Sequence, residues 1–286
     1  MSNKVILTAD STCDLSKELL QRYNVVTVPL HISLGDTMHD DWITITPDEI
    51  YNHFYETKEL PHTAARSVGE YDDLFAPYIN EGYDVVHIGL GSNLSVTNRS
   101  ANLAAQEYEG RVEVVDSCNL STGTGLLVIK AAEFIEQGLS AKEVADKVRA
   151  LVDKSHASFV IDKLNFLAAG GRCSAIEAFG ANLLGLKPCI EVSTKEFGKM
   201  GVNKKYRGKF NKVCLEYLDE IVTKYGEVDT ARAFITHAGC DKEVVDSVYN
   251  ALVEKKIFDE VFVTRASCTI SSHCGPDTLG VLFMTK

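Results

Sequence analysis

No apolar run in the sequence approaches the roughly 18 residues of a membrane-spanning helix. The first residues, Met1-Ser2-Asn3-Lys4-Val5-Ile6-Leu7, run into a strand pattern instead of a signal peptide, which predicts a cytoplasmic protein. Cysteine pairing is missing as well. The eight thiols (Cys13, Cys118, Cys173, Cys189, Cys214, Cys240, Cys268, Cys274) are scattered, with no Cys-x-x-Cys pair and no Cys/His grouping at zinc spacing. They are expected to be reduced and mostly buried, and neither a metal nor a cofactor is expected. Positive charge is short: 29 Lys and Arg against 40 Asp and Glu leave a net charge of -11. Binding to a phosphate backbone draws on Lys and Arg, so the balance argues against nucleic acid as a partner. No internal repeat and no low-complexity linker interrupts the chain.

What is present suits a full hydrophobic core. Over 286 residues, 45% are hydrophobic, enough for two domains. The chain turns on the stretch Val85 to Asn98. Val85 to Leu90 is an uncharged apolar run and predicts a buried strand, Gly91-Ser92-Asn93 a tight turn, and Ser95 onward a helix. At such a junction the helix N-terminus offers free N–H groups, and Ser92, Ser95 and Thr97 add hydroxyls, which together make an anion cradle. Ser95 or Thr97 serves equally well as a plain helix cap.

Before this stretch, Lys4 to Ala9 predicts a strand, and Asp10-Ser11-Thr12-Cys13-Asp14-Leu15 a turn into a helix reaching Tyr23, with Asp10 and Ser11 either capping it or facing the Ser92 loop. Val25 to Ile32 is extended, with Pro29 favouring an edge or strand end, and Asp40-Asp41 lies in a polar loop. Thr46-Pro47-Asp48-Glu49 is a capping box that opens a helix to Glu56. Pro61 to Ser67 precedes an amphipathic helix, Val68 to Asn80. After the central stretch come a strand, Arg111 to Val115, a long helix, Leu120 to Gln137, and a second capping box, Ser140-Ala141-Lys142-Glu143, starting a helix to Asp153. Alternating strands and helices of this kind predict a three-layer α/β domain with a mainly parallel sheet over 1–155.

Past Ser155 the pattern mixes hairpins with crossovers. Strands are expected at Ala157–Ile161, from Leu183 through Lys187-Pro188 to Val192, and at Arg232–Thr236, Glu260–Thr264 and Thr278–Met284. Phe197-Gly198-Lys199-Met200 reads as a turn into a hairpin strand, and helices are expected at Tyr206–Tyr225 and Glu243–Lys255. This predicts a mixed-sheet α/β domain over 156–286.

Three chemistries fit parts of the pattern. Gly89-Leu90-Gly91 after a strand, with Asp116 ending the next, suggests dinucleotide binding, but Leu94 stands where the third glycine belongs. A hydrolase would use Ser92 as nucleophile, His273 as base and Asp10 or Asp116 as orienter, yet Gly91-Ser92-Asn93 falls short of the Gly-x-Ser-x-Gly elbow. A carboxylate receptor needs the same hydroxyl and imidazole without the chemistry. His273, in the loop His273-Cys274-Gly275-Pro276-Asp277, and His237 are the two histidines in glycine-containing loops near strand ends, and His237 reads as a cap of the next turn.

Taken together, Asp10 to Leu15, the Leu90 to Ala101 stretch, Gly170-Gly171-Arg172, Leu186-Lys187-Pro188 and His273 to Pro276 come in the order and spacing of the DegV family, which the whole chain resembles. The resemblance implies two α/β domains holding a long-chain fatty acid between them, in a carrier without catalysis of its own. Members of the FakB type present the acyl carboxylate to the catalytic subunit of a fatty acid kinase, and the acyl phosphate enters phospholipid synthesis, which allows transient membrane contact. Carried over, the resemblance implies that Thr63, Ser92 and His273 bind the carboxylate, helped by Asn93 and the N–H groups around it. It also implies a role in domain interface or kinase docking for Arg172 and Arg207. The chain departs from the family at Thr63-Ala64-Ala65-Arg66, within Gly91-Ser92-Asn93-Leu94-Ser95-Val96-Thr97, where the family has Ser-Ser-Gly-Leu-Ser-Gly-Thr, and at Asp277. An acidic Asp277 beside the ligand carboxylate would weaken binding, so Arg66 is expected either to neutralise Asp277 or to grip the ligand. Two alternatives stay open: an acyl ester or thioester hydrolase using Ser92 and His273, and a family member that binds another lipid.

Overall fold

The computed structural model describes residues 4–174, 185–225 and 227–286. Four parallel strands form the first sheet: β1 (Val5–Asp10), β2 (Val25–Val28), and, further along the chain, Asp84–Gly89 and Val112–Asp116. Between them three short strands, β3 (His31–Leu34), β4 (Thr37–Asp40) and β5 (His62–Ala64), make a small antiparallel sheet with β3 in the middle. The two later strands of the parallel sheet are therefore β6 and β7, and its order is β2-β1-β6-β7.

Strand order reverses between β1 and β6, since β1 leads outward to β2 on one side and β6 to β7 on the other. Open α/β sheets bind ligands at such a place, beyond the carboxyl ends of the strands. The loop after β6 leaves from this point.

Both faces of the parallel sheet are covered, so its central strands carry apolar residues on each side. Val85, Val112 and Val114 pack with Tyr71, Phe75 and Ala101 of the helices Val68–Asn80 and Thr97–Ala105. Leu7, Val86, Ile88 and Val115 face the opposite way, toward the helices Ser121–Glu136 and Ala141–Leu151. Helix starts follow the local chemistry: Thr46/Glu49, Ser67/Glu70 and Ser140/Glu143 each form both bonds of a capping box.

The second sheet is mixed. Its strands are β8 (Ser155–His156), β9 (Ser158–Ile161), β10 (Lys187–Ser193), β11 (Lys199–Tyr206), β12 (Val228–Ala238), β13 (Glu260–Arg265) and β14 (Thr278–Thr285). The order is β11-β10-β9-β14-β12-β13, with β8 beside β14; only β12 and β13 run parallel. Ala233, Ile235, Val281 and Phe283 face the helices Phe210–Lys224 and Lys242–Glu254. Phe159, Ile161, Phe234 and Leu282 face the other way and join the core of the parallel sheet. Helix Ser121–Glu136 lies in this shared core, largely buried from Ser121 to Ala132. Gly123 and Gly125 permit it: a β-carbon would come within 2.5 Å of the Asn119 side chain and 2.6 Å of the Cys13 carbonyl oxygen.

Several expectations are corrected. Val25 to Ile32 is two strands in different sheets, split at Pro29, whose missing N–H cannot extend a ladder. Asp40 ends β4, and Asp41 is buried instead of lying in a polar loop. The helix expected from Tyr206 begins at Phe210, because Lys204 to Tyr206 still pair with β10. His273 lies in a helix, Cys268–Cys274, and not in a loop. Leu183, the expected start of a strand, is outside the described residues.

Candidate functional site

Asp10 ends β1 and neither it nor Ser11 caps a helix; the helix Lys17–Arg22 is capped by Ser16. Asp10 is fully buried, accepts the Tyr71 hydroxyl at 2.6 Å and the Leu90 N–H at 2.8 Å, and lies 3.4 Å from His87 Nε2. Tyr71 in turn meets Thr97 Oγ1 at 2.7 Å. A buried carboxylate thus pins both ends of the 90–97 loop. Around Asn93 the N–H groups are taken: Ser92 donates to Asp116 at 3.2 Å, Asn93 to the Phe197 carbonyl at 3.0 Å and Leu94 to the Gly91 carbonyl at 2.9 Å. The expectation that N–H groups around Asn93 serve an anion is therefore corrected. What the loop offers instead is the side chains of Ser92 and Asn93, both exposed at the rim of a cavity.

That cavity, about 450 Å³, opens between the two sheets. Leu30, Leu90, Leu120, Phe159, Ile270 and Leu282 supply much of its apolar wall, and Thr63, Ser92, Asn93, Arg172 and His273 are among its polar lining. Its size is that of a small-molecule site.

His273 owes its place to two acids from the first 50 residues. Asp41 accepts the N–H groups of Cys268 (2.8 Å) and Thr269 (3.2 Å) as well as the Thr269 and Ser11 hydroxyls. Asp14 accepts the Ser267 N–H at 2.9 Å and the Ser121 hydroxyl at 2.6 Å. The short helix Cys268–Cys274 is thus held at its N-terminus by buried carboxylates, as its free N–H groups and dipole favour. Burial lifts Asp14 to about 7. Neither acid was singled out from the sequence.

At the other end of that helix His273 Nε2 lies 2.8 Å from Thr63 Oγ1, across 210 residues of sequence. Nδ1 is buried, has no hydrogen-bond partner among the described residues, and sits against Gly170, where a β-carbon would come within 2.6 Å of it. A bare lone pair costs less there than an unanswered N–H, which assigns the ring proton to Nε2. Burial, with help from the Arg172 guanidinium, pushes His273 down to about 4, so the ring is neutral. The arrangement is directional: Nε2–H donates to Thr63 Oγ1, and the Thr63 hydroxyl is left free to donate to an anion at the rim. No hydrogen bond joins Ser92 to His273 among the described residues.

Arg172 is exposed and reaches across the cavity rim, donating from Nη1 to the Gly170 carbonyl at 2.8 Å and from Nε toward the Leu94 carbonyl at 3.4 Å. Arg207 is exposed just after β11 and does not line the cavity. Arg66 and Asp277 do not pair. Arg66 donates to Asp40 at 2.7 Å, to Glu70 and to the Pro29 carbonyl, while Asp277 binds Lys163 at 2.7 Å. Two carboxylates and a carbonyl take three of the five N–H donors of Arg66 and hold its guanidinium where it is, and neither residue lines the cavity. His237, read as a turn cap, belongs to β12 and lines the cavity.

Among the described residues no His, Cys, Asp or Glu cluster is arranged to hold a metal, and no helix is long and apolar enough to cross a membrane. Comparison with known proteins points one way. The profile of the DegV family, a family of uncharacterised proteins, matches residues 4–286. A DegV domain-containing protein of Clostridium perfringens is 33% identical over 287 residues, covering 99% of each chain. A DegV family protein of Thermus thermophilus, described as binding fatty acid, superposes with a TM-score of 0.91 at 31% identity over 99% of this chain and all of the other. A Thermotoga maritima protein with a reported fatty acid binding function does so with a TM-score of 0.84 at 26% identity, over 99% of this chain and all of the other.

Proposed function

The chain belongs to the DegV family, and from that premise we propose that it is a two-domain, cytoplasmic carrier, divided near residue 155, which binds a long-chain fatty acid and presents its carboxylate to a kinase subunit. The observation that carries the reading is the Thr63–His273 pair at the rim of an apolar cavity. An anion there receives the Thr63 hydroxyl, the Ser92 and Asn93 side chains and the nearby charge of Arg172, while the hydrocarbon enters the wall of Leu, Ile and Phe. Each methylene buried contributes about 0.8 kcal/mol, so ten give about 8 kcal/mol before ordering costs.

A head group at the rim with its tail inside is how a carrier shows an acid to a partner. Exposed Arg172 and Arg207 supply cations for docking a kinase, which would form the acyl phosphate for phospholipid synthesis. The alternative of an acyl hydrolase is not favoured, since the hydrogen bond of His273 Nε2 goes to Thr63 and not to Ser92.

Native mass spectrometry of protein purified from cells, followed by extraction of what is bound, tests the binding. One fatty acid per chain, lost or depleted in His273→Ala, is the expected result. Protein that is empty, or that carries a lipid without a carboxylate, refutes it. The kinase step is tested separately, by acyl phosphate formation when loaded protein, a kinase subunit and ATP are combined.

A further inference from the structure

We infer that Asp116 is a positioning residue for Ser92 and that its charge lowers the affinity for the ligand carboxylate, so that the head group stays exchangeable. This rests on the fatty-acid reading above. The loop after β6 is gripped from the ends of both neighbouring strands. Asp10, ending β1, takes the Leu90 N–H at 2.8 Å. Asp116, ending β7, takes the Ser92 N–H with both oxygens, at 3.2 and 3.4 Å. The same carboxylate accepts the Cys118 N–H at 2.8 Å, closing a turn in its own stretch of chain. One side chain therefore ties the turn after β7 to the residue that offers its hydroxyl at the cavity rim. Asp116 does not line the cavity, so it acts on a ligand through Ser92 and through its charge.

The geometry does not need that charge. An amide oxygen accepts both N–H groups as a carboxylate oxygen does, and Asn closes the same turn two residues ahead. What Asp alone adds is a negative charge. The partners of its carboxylate among the described residues are these two backbone N–H groups, with no Lys, Arg or His among them. The side chain is half-buried, so solvent screens the charge only in part. An anion on the Ser92 hydroxyl lies roughly 7 Å from the Asp116 carboxylate, allowing about 2.7 Å for its own hydrogen bond. At an effective dielectric constant of about 40 to 80, like charges at that separation cost about three- to eightfold in affinity. Arg172 works against this at the same rim, with its Nε 3.4 Å from the Leu94 carbonyl. A bound carboxylate is thus held by the neutral donors of Thr63, Ser92 and Asn93, with one cation and one anion nearby to trim the strength of the hold.

Displacement of a fluorescent fatty acid by palmitic acid and by its methyl ester, on protein stripped of lipid, tests position and charge together at about 0.02 M and about 0.5 M salt. Asp116→Asn keeps the acceptor and removes the charge. It is expected to bind palmitic acid about three- to eightfold tighter than native protein at low salt, to lose most of that gain at high salt, and to bind the ester as native protein does. Asp116→Ala removes the acceptor as well, and is expected to bind palmitic acid at least about threefold more weakly than Asp116→Asn, the worth of one hydrogen bond. Asp116→Ser, also a neutral acceptor, stands in where the asparagine variant does not fold. Folded Asp116→Asn no tighter than native protein, or a gain that salt leaves unchanged or the ester shares, overturns the inference. Asp116→Ala as tight as Asp116→Asn overturns the positioning of Ser92. Each of these outcomes leaves the fatty-acid reading intact. If palmitic acid does not bind native protein, the fatty-acid reading falls and this inference with it.

Discussion

Replacing Thr63 by Val keeps a branched side chain in β5 and removes one hydroxyl. The position pairs with Ile32 of β3 at the edge of the small sheet, so the backbone ladder is untouched. In the free protein the loss is a neutral hydrogen bond to His273, about 0.5–1.5 kcal/mol of stability. In the complex the loss is a charge-assisted bond to a carboxylate, about 1.5–3 kcal/mol, or about 10- to 150-fold in affinity. Part of this is recovered, since Nε2–H, released from Thr63, can turn toward the carboxylate. The expected outcome is a fatty-acid affinity about 10- to 30-fold weaker, with Thr63→Ser close to native. Displacement of a fluorescent fatty acid measures it, alongside a melting curve. A Thr63→Val protein within threefold of native, with its melting temperature unchanged, would refute the relay from His273 through Thr63. If the relay holds, His273→Ala added to Thr63→Val should cost less than the sum of the two single changes, since both remove one coupled unit.

Gly170→Ala is expected to lower fatty-acid affinity at least about tenfold, because a β-carbon 2.6 Å from His273 Nδ1 must displace the ring. Elsewhere in a helix the same change stabilises by about 0.5–1 kcal/mol, so unimpaired binding with a higher melting temperature would show that the imidazole has room to spare. Stability should also fall on acidification. Burial pushes His156, His237 and His273 down from the ordinary value near 6.5 to about 4. Between those values the unfolded chain takes up protons that the native chain refuses, so stability is lost as pH falls from about 6.5 to 4. Asp14 acts in the opposite sense: with its native value raised to about 7, its contribution is lost as pH rises from about 4 to 7. Three groups outweigh one, and the melting temperature measured at pH 6.5 should exceed that at pH 4.5; a flat or inverted profile would contradict this balance.

The layers of the fold were legible because they rest on long, repeated signals. Val85 to Leu90 has the uncharged run of a strand covered on both faces, and two of the capping boxes announce their helices three residues ahead. The small sheet was not legible, since β3, β4 and β5 have only three or four residues each, too few for an alternation to stand out. Helix Cys268–Cys274 was hidden for a related reason: two turns without a periodic stripe, followed by Gly275-Pro276, look like a loop. Of the site, Thr63, Ser92, Asn93 and His273 came from motif order and do line one cavity. The Arg66–Asp277 pair failed because charges far apart in sequence were matched by sign alone, while Asp40 and Glu70 lay within closer reach of Arg66. His237 was misplaced because β12 runs two residues past its apolar centre.

The acids explain why the site has to be made by the whole chain. Asp10 fixes the Ser92 loop within the parallel sheet, but Asp14 and Asp41, from the same half, fix a helix of the other half. His273 is therefore positioned by residues more than two hundred places earlier, and it meets Thr63, which comes from those earlier residues too. On the opposite side Arg172 closes the link by reaching the Leu94 carbonyl. Taking the halves apart would leave buried carboxylates without their donors, a penalty larger than the worth of the bonds themselves. The shared core adds to this, since Ile88 and Leu126 pack in one cluster with Phe234 and Leu282. On the proposed reading, a ligand in the cavity finds its polar contacts fixed before it arrives, so its binding energy is not spent on assembling them.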